Sequence, residues 1–191
     1  MRLSFGPLCL VACSVWAQDQ WPHYGGNYGA WRYSDLKQID ASNVAKLSAL
    51  WAFQTGDPDG GLQSTPIVVD GVMYLSTSRN HIFAIDAASG KELWKYTYLL
   101  PKGFTIFYGP WNRGVAVGGG KVFIGTLDNN VVAVDQKTGR ESWRVNVEDA
   151  NQCGCNITAA PLLVKGKVLV GVTGGDGAVG VDDPPQLRHW L

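Results

Sequence analysis

Cys153 and Cys155, separated only by Gly154, offer the first chemistry that the residue types suggest. Two free thiols in an exported protein tend to oxidise, and Gly154 would allow the tight bend that a bridge between them requires. Two cysteine ligands are too few for a zinc site, and the sequence contains no C-x-x-C-H motif for covalent haem. The pair therefore indicates a structural or an idle pair of cysteines, with a redox or electron relay as the alternative, and the sequence leaves their oxidation state open.

Arg113 offers a second kind of chemistry, the binding of an acidic group. Its planar guanidinium can donate two parallel hydrogen bonds to one carboxylate. Other hydrogen-bonding side chains occur at Gln63 and Thr158, and residues 173–176 read Thr-Gly-Gly-Asp. Each has a plainer interpretation, because surface arginines, strand-opening threonines and Gly-Gly-Asp turns are common. These residues can form a site only if the fold brings them together.

An internal repeat predicts the fold that would position them. Residues 71–94 read G-V-M-Y-L-S-T and then I-F-A-I-D-A-A-S-G-K-E-L-W. Residues 120–143 repeat the pattern as G-K-V-F-I-G-T and then V-V-A-V-D-Q-K-T-G-R-E-S-W, so that Asp86 and Trp94 return as Asp135 and Trp143, both 49 positions later. A third copy begins at Gly166 and then diverges. A period near fifty with strand-like units is typical of a β-propeller.

Each repeat predicts four short antiparallel strands. In the first copy these are residues 65–70, 72–77 and 82–86 and a last strand that carries Trp94. Four strands cannot bury both faces alone, so neighbouring repeats must stack, with the tryptophan as the largest packing piece. A β-sandwich of meanders is the alternative, but it does not explain the fixed period. We therefore expect an all-β partial propeller of about three blades, with one short capped helix in residues 40–47.

This architecture predicts where the candidate residues lie. In a four-stranded blade, the loop before the first strand and the loop after the second strand open at the same end of the ring. Gln63, Arg113 and Thr158 precede first strands, and residues 173–176 follow a second strand. All of them are therefore predicted at one end, where a planar ligand could bind.

Residues 1–17 are typical of a secretory signal. Arg2 gives the positive start, an apolar stretch follows, and Val15-Trp16-Ala17 places small residues at the cleavage-determining positions. The alternative is a lipoprotein signal with Cys13 lipidated, and only then would we expect attachment to a membrane. In both cases the protein leaves the cytoplasm, and we expect a periplasmic location.

The overall charge excludes one class of partner. Lysine plus arginine and aspartate plus glutamate balance at 16 each, so no basic field for nucleic acid is present.

The predicted domain organisation has four parts. The signal (1–17) is followed by a leading segment (18–60) with the short helix and a closing strand at residues 50–53. Propeller blades then occupy residues 61–178, as repeats 61–100, 110–147 and an incomplete 157–178, and a divergent tail covers 179–191. Because a propeller needs at least four blades, we expect an N-terminal fragment of a longer protein. A short protein that assembles its ring from several chains is the alternative.

Several motifs together resemble those of PQQ-dependent alcohol dehydrogenases, exported quinoproteins with an eight-bladed propeller. They are W-x-x-Y-G-x-N, R-Y-S, T-P-I-V-V-D-G-V-M-Y, N-R-G-V-A-V, the two A-x-D-x-x-[ST]-G-[KR]-x-x-W units and A-P-L-L-V-K-G-K-V-L-V-G. The resemblance extends from about residue 21 to 175. It implies hydride transfer from an alcohol or sugar to PQQ, a Ca²⁺ ion that polarises the quinone, and a periplasmic cytochrome c as a further partner.

The resemblance also implies roles for individual residues. Arg113 matches the arginine that contacts the acidic groups of the cofactor, and Thr158 matches a hydroxyl that binds a cofactor oxygen. Thr173, Gly174 and Gly175 match a stretch that lines the cofactor, and Asp176 matches its carboxylate ligand to Ca²⁺.

Two departures from the family pattern weaken this reading. Phe107 and Tyr108 replace a vicinal cysteine pair, and Gln63 replaces a glutamate, although an amide can still hydrogen-bond a quinone oxygen. The catalytic aspartate would belong to blades beyond this sequence, so we expect this chain alone to be inactive. The alternative function is a non-catalytic PQQ-like propeller that serves as a scaffold or binding protein of the cell envelope.

Overall fold

The computed structural model describes residues 20–57, 61–107 and 109–174. The predicted signal, Tyr108, Gly175, Asp176 and the predicted tail lie outside the described residues.

The first four-stranded sheet forms from residues 67–96. Its antiparallel strands follow one another in sequence order: β1 (Ile67–Val69), β2 (Val72–Ser76), β3 (Ile82–Asp86) and β4 (Glu92–Tyr96). Runs of β-branched and aromatic residues favour the extended backbone. The β1–β2 turn needs two left-handed residues, which Asp70 (φ 51°) and Gly71 (φ 75°) supply.

The second sheet repeats the first. Its strands are β5 (Ala116–Gly118), β6 (Lys121–Gly125), β7 (Asn130–Asp135) and β8 (Glu141–Asn146), again in sequence order. Even the register irregularity between the third and fourth strands recurs, after Ala84 in one sheet and after Ala133 in the other. The expectation of stacked four-stranded antiparallel blades is confirmed.

The main hydrophobic core lies between these two sheets. It includes buried side chains from both sheets, namely Ile67, Tyr74, Ile82, Val122, Ile124 and Val132. Each such side chain stabilises the fold by roughly 1.5–3 kcal/mol relative to an exposed position.

Two tryptophans pack on the turns before the outer strands. Trp94 on β4 lies against Gly139, where an added Cβ would be 2.6 Å from its ring. Trp51 packs in the same way on Gly90, and its indole donates to the oxygen of Ala87 at 3.2 Å. A glycine is required at both turn positions, because a side chain there would collide with the indole.

The third unit is only partly described. It contains α1 (Ala150–Cys153), β9 (Cys155–Asn156), β10 (Leu162–Val164), β11 (Lys167–Leu169) and β12 (Thr173–Gly174). β10 pairs with β11, and β9 pairs with β12. The sequence analysis missed α1, whose first turn is capped by Asp149 through hydrogen bonds from the backbone of Asn151 and Gln152.

The leading segment differs from its prediction. Residues 40–47 contain only a 3₁₀ turn, Val44–Lys46, because Asp40 and Asn43 bond to the local backbone instead of capping a helix. Residues 50–53 form no strand pairing with the described residues, although Trp51 docks as expected. Trp21 adds a single bridge to Val68 on β1.

None of the helices in the described part of the chain is long and apolar enough to cross a bilayer.

Candidate functional site

The loops before β5 and before β10 meet through Arg113 and Thr158. The Arg113 guanidinium donates to Thr158 Oγ1 at 2.7 Å, and the Arg113 backbone N–H donates to the Thr158 carbonyl at 3.0 Å. Thr158 is buried and Arg113 is half-buried. Two residues separated by 45 positions are therefore brought into direct contact, as the shared end of the sheets predicts.

Thr173 joins the same group. Its Oγ1 lies 3.1 Å from Thr158 Oγ1, and the pairing of β9 with β12 sets Thr173 opposite Asn156. Gly174 follows directly, half-buried and with φ 102°, a conformation that favours glycine. Arg113, Thr158 and Thr173 thus form one continuous hydrogen-bonded group.

Gln63 lies on the neighbouring segment but does not join this group. It is exposed, and the nearest link is the backbone N–H of Thr65, which donates to the Arg113 carbonyl at 3.2 Å. The predicted ligands Gly175 and Asp176 lie outside the described residues.

Arg113 is a cation without a carboxylate partner among the described residues. The described ion pairs are His81 with Asp57 and Arg144 with Glu141. Among the described residues, this half-buried guanidinium makes its side-chain hydrogen bond to the hydroxyl of Thr158. Most of its five N–H donors therefore remain available for a ligand. The arrangement therefore suits an anionic ligand, with the two threonine hydroxyls beside it to accept or donate hydrogen bonds.

The residues on either side of Arg113 fix the loop that carries it. The Asn112 side chain is buried, accepts from Ser76 Oγ and from the Gly114 backbone, and donates to the Gly125 carbonyl at 2.8 Å. Gly114 has φ 138°, and an added Cβ would lie 3.3 Å from the Thr65 carbonyl. Sequence reasoning singled out only the arginine of the Asn-Arg-Gly motif, yet the asparagine and glycine fix the loop that carries it.

A cavity of about 260 Å³ has Arg113 in its wall. Its remaining walls are mostly apolar and come from the leading segment at residues 22–24, from β5 and from residues 159–163.

The predicted pair of Cys153 and Cys155 forms a disulfide bridge. Both residues are buried, and Asn129 Nδ2 lies 3.4 Å and 3.3 Å from the two sulfurs. Within the described ranges no group of three or more His, Cys, Asp or Glu residues could hold a metal ion.

Phe107, which stands where the family pattern has a cysteine, packs edge-on against Phe104 with ring centroids 6.5 Å apart. A phenylalanine therefore occupies this loop where the family pattern has the first of two adjacent cysteines.

Comparison with known proteins gives one family and several relatives. Residues 21–179 match the family model described as "PQQ: Glucose/ethanol/alcohol dehydrogenase, beta-propeller domain". Quinoprotein alcohol dehydrogenase PedH of Pseudomonas putida is 44% identical over 151 residues, which are 78% of this chain and 25% of that protein. The 1-butanol dehydrogenase (cytochrome c) of Thauera butanivorans is 39% identical over 182 residues, or 93% of this chain and 26% of that protein.

Solved structures agree with the sequence comparison. The structure of a europium-containing methanol dehydrogenase superposes with a TM-score of 0.74 at 39% identity, covering 82% of this chain and 28% of that one. This chain thus spans about a quarter of the length of the relatives it matches.

Proposed function

Because this chain belongs to the family of PQQ-dependent glucose, ethanol and alcohol dehydrogenase propellers, we propose that it builds part of the cofactor-binding end of such an enzyme. The proposed reaction is the oxidation of an alcohol or sugar. PQQ would supply the hydride acceptor when bound. The protein's share of this chemistry is to bind and orient the cofactor and to exclude water from it.

The observation that carries the proposal is the Arg113–Thr158–Thr173 group. Arg113 would bind a carboxylate of PQQ, and charge-assisted hydrogen bonds of this kind are worth about 1.5–3 kcal/mol each. Because Arg113 already donates to Thr158 Oγ1, the proton of that hydroxyl is free to point toward Thr173 or toward a ligand oxygen. The residues present therefore fit an acidic, oxygen-rich molecule.

We further assign the backbone of Gly174 and Gly175 to the cofactor surface and the carboxylate of Asp176 to a hard cation such as Ca²⁺. Carboxylate oxygens are preferred ligands of such ions. A similar solved structure is that of a europium-containing methanol dehydrogenase, which supports the binding of a hard cation by a related protein. Gln63 would offer its amide to a quinone oxygen from the neighbouring segment.

The proposed location is the periplasm. The Cys153–Cys155 bridge supports an oxidising compartment, since disulfides persist mainly outside the cytoplasm. A cytochrome c is the proposed electron acceptor, supported by the name of the Thauera relative.

The proposal is tested by titrating the full chain with PQQ and following tryptophan fluorescence and quinone absorbance. We expect saturable binding. Arg113→Lys keeps the charge but loses the planar fork, so binding should weaken about tenfold, and Arg113→Gln should weaken it by up to about a hundredfold.

Arg140→Gln is the matched control, because it removes the same charge from an exposed turn between β7 and β8 and should leave PQQ binding unchanged. Absence of PQQ binding to the wild type, or equal losses in Arg113→Gln and Arg140→Gln, would refute the assignment. For the longer protein that carries this chain, alcohol-dependent dye reduction with PQQ and Ca²⁺ separates an enzyme from a non-catalytic scaffold.

A further inference from the structure

We propose that the Cys153–Cys155 disulfide and Asn129 are positioning residues for the Thr158–Thr173 side of the candidate site. The inference rests on the proposed function for its link to PQQ. Its structural part, that the bridge orders β12, stands on contacts within this chain.

The bridge lies at the junction between a helix and a strand. Cys153 ends α1, Gly154 adopts a left-handed conformation (φ 58°, ψ 35°), and Cys155 begins β9. Glycine loses more conformational freedom on folding than any other residue. A covalent link across Gly154 removes much of that freedom and holds the start of β9 in one direction.

The strand held in this way pairs with β12. Within residues 109–174 this pairing covers two residue pairs, Asn156 with Thr173 and Cys155 with Gly174. A two-stranded ladder is at best marginally stable on its own in water. The position of Thr173 therefore depends on how firmly β9 is fixed.

Asn129 fixes β9 to the second sheet. Its side chain is fully buried, and Nδ2 donates to the Cys155 carbonyl at 3.2 Å besides facing both sulfurs. Asn156 makes a second link, since its Nδ2 donates to the Leu127 carbonyl. The bridge is thus attached to the turn between β6 and β7 rather than left in a surface loop.

The contact of Asn129 with the disulfide has no counterpart in the first sheet. Asn80 occupies the equivalent place 49 residues earlier, with φ 64° against φ 60° for Asn129. Both are fully buried, yet Asn80 accepts from the Leu127 backbone N–H at 3.0 Å, whereas Asn129 faces the disulfide.

The contacts form an unbroken path to the arginine. From the bridge the path follows the β9–β12 pairing to Thr173, crosses 3.1 Å to Thr158 and then 2.7 Å to Arg113. A bridge that closes so short a loop adds little to global stability in the chain-entropy model, because that contribution grows with loop length. Its expected effect is therefore local order at β12.

The test compares the full chain with the Cys153→Ser/Cys155→Ser double variant, with Asn129→Ala and with Asn80→Ala. Amide hydrogen exchange is followed by residue, and PQQ affinity is measured in the same samples. We expect exchange in β9 and β12 to accelerate at least about tenfold in the double-serine and Asn129→Ala variants, with β1–β3 unchanged. PQQ affinity should fall about five- to tenfold in both. Asn80→Ala removes only the acceptor of the Leu127 N–H, so it should change both quantities at that end clearly less than Asn129→Ala does.

Two results would overturn the proposal. One is unchanged exchange of β12 in the double-serine variant, and the other is an equal acceleration there in Asn80→Ala. If the wild type fails to bind PQQ, the proposed function fails, but the exchange data still decide whether the bridge orders β12. If the double-serine variant does not fold, Asn129→Ala, which keeps the disulfide, still tests the proposal: unchanged exchange of β12 in this variant would overturn it.

Discussion

The indole nitrogen of Trp94 donates to the main-chain oxygen of Gln136 across 3.1 Å, joining the outer strand of one sheet to the turn of the next. Trp51 makes the same connection to Ala87 one sheet earlier. Trp94 therefore locks the first sheet to the second, and this tryptophan lock is expected to carry a large share of the stability between the two sheets.

Trp94→Ala tests the lock. The change removes the docking on Gly139, the bond to Gln136 and the contact with Tyr74, whose ring centroid is 5.9 Å from that of Trp94. We expect a loss of about 3 kcal/mol in the free energy of unfolding, measured by chemical denaturation.

Trp143→Ala is the matched control, because Trp143 has the same contact with Phe123 (5.9 Å) but is 38% exposed. It should cost about half as much as Trp94→Ala. Equal costs for the two variants would contradict the idea of a lock.

Asn112→Ala should destabilise the loop that carries Arg113. The substitution leaves the Gly125 carbonyl, the Gly114 N–H and Ser76 Oγ without their partner in a buried place. Buried polar groups left unpaired cost about 1–3 kcal/mol each, so we expect a loss of at least about 2 kcal/mol on denaturation. Asn112→Asp keeps the acceptor, but its ionised form loses the donor to the Gly125 carbonyl and buries a charge beside it. It should therefore be the milder change at low pH, where the protonated carboxyl can still donate.

His81 should make stability depend on pH below about 6.5. Burial lowers the pKa of His81 below its usual 6.5; Lys95 and Arg79 add to the lowering, and Asp57 opposes it. Its Nδ1 accepts from the backbone of Tyr98 at 3.0 Å, which requires the neutral ring. Since the unfolded chain takes up the proton first, stability is complete above pH 6.5 and falls as the pH drops through the lowered pKa.

His81→Asn offers a carbonyl in place of Nδ1 and does not titrate. Denaturation at a series of pH values should show a smaller slope for this variant below pH 6.5, by at most about 1.4 kcal/mol per pH unit. Parallel curves for the wild type and His81→Asn would rule out the role given to this residue.

The turns before the outer strands should govern acid stability. Hydrogen bonds from the side chains of Ser89 and Thr138 hold the pKa values of Asp86 and Asp135 below the usual 3.8. This stabilisation is complete above pH 3.8 and is lost as the carboxylates protonate through their lowered pKa values. A Ser89→Ala/Thr138→Ala variant should be less stable than the wild type at pH 7.

The difference between that variant and the wild type should narrow below about pH 3.8, because protonated carboxyls gain less from the hydroxyl donors. Thermal unfolding at pH 7 and at pH 3 measures this. A difference that stays constant over that range would show that the two hydroxyls act without the carboxylate charge.

The repeat made most of the architecture predictable. Two copies with tryptophan in register define strands, turns and stacking, because each of these depends on local residue order. The placement of Arg113 and Thr158 at one end was also predictable, since the ends at which loops open are set by strand order, but their direct contact was not.

What could not be predicted depends on contacts between distant residues. The sequence marks Asn80 and Asn129 as equivalent. Asn80 bonds to Leu127 of the second sheet, whereas the packing of the third unit places Asn129 against a disulfide. The helix expected at residues 40–47 failed for a local reason, the competition of Asp40 and Asn43 for the backbone. Capping patterns in residues that bury nothing are weak signals.

Because Trp94 of the first sheet packs on a turn of the second, the order in which the chain is synthesised matters. Trp94 packs on Gly139, which is translated 45 residues later. As the chain emerges, from the ribosome or from an export channel, the first sheet therefore keeps its largest ring uncovered until most of the second sheet has followed. The Trp94 side of the first sheet is complete only after the second sheet has folded.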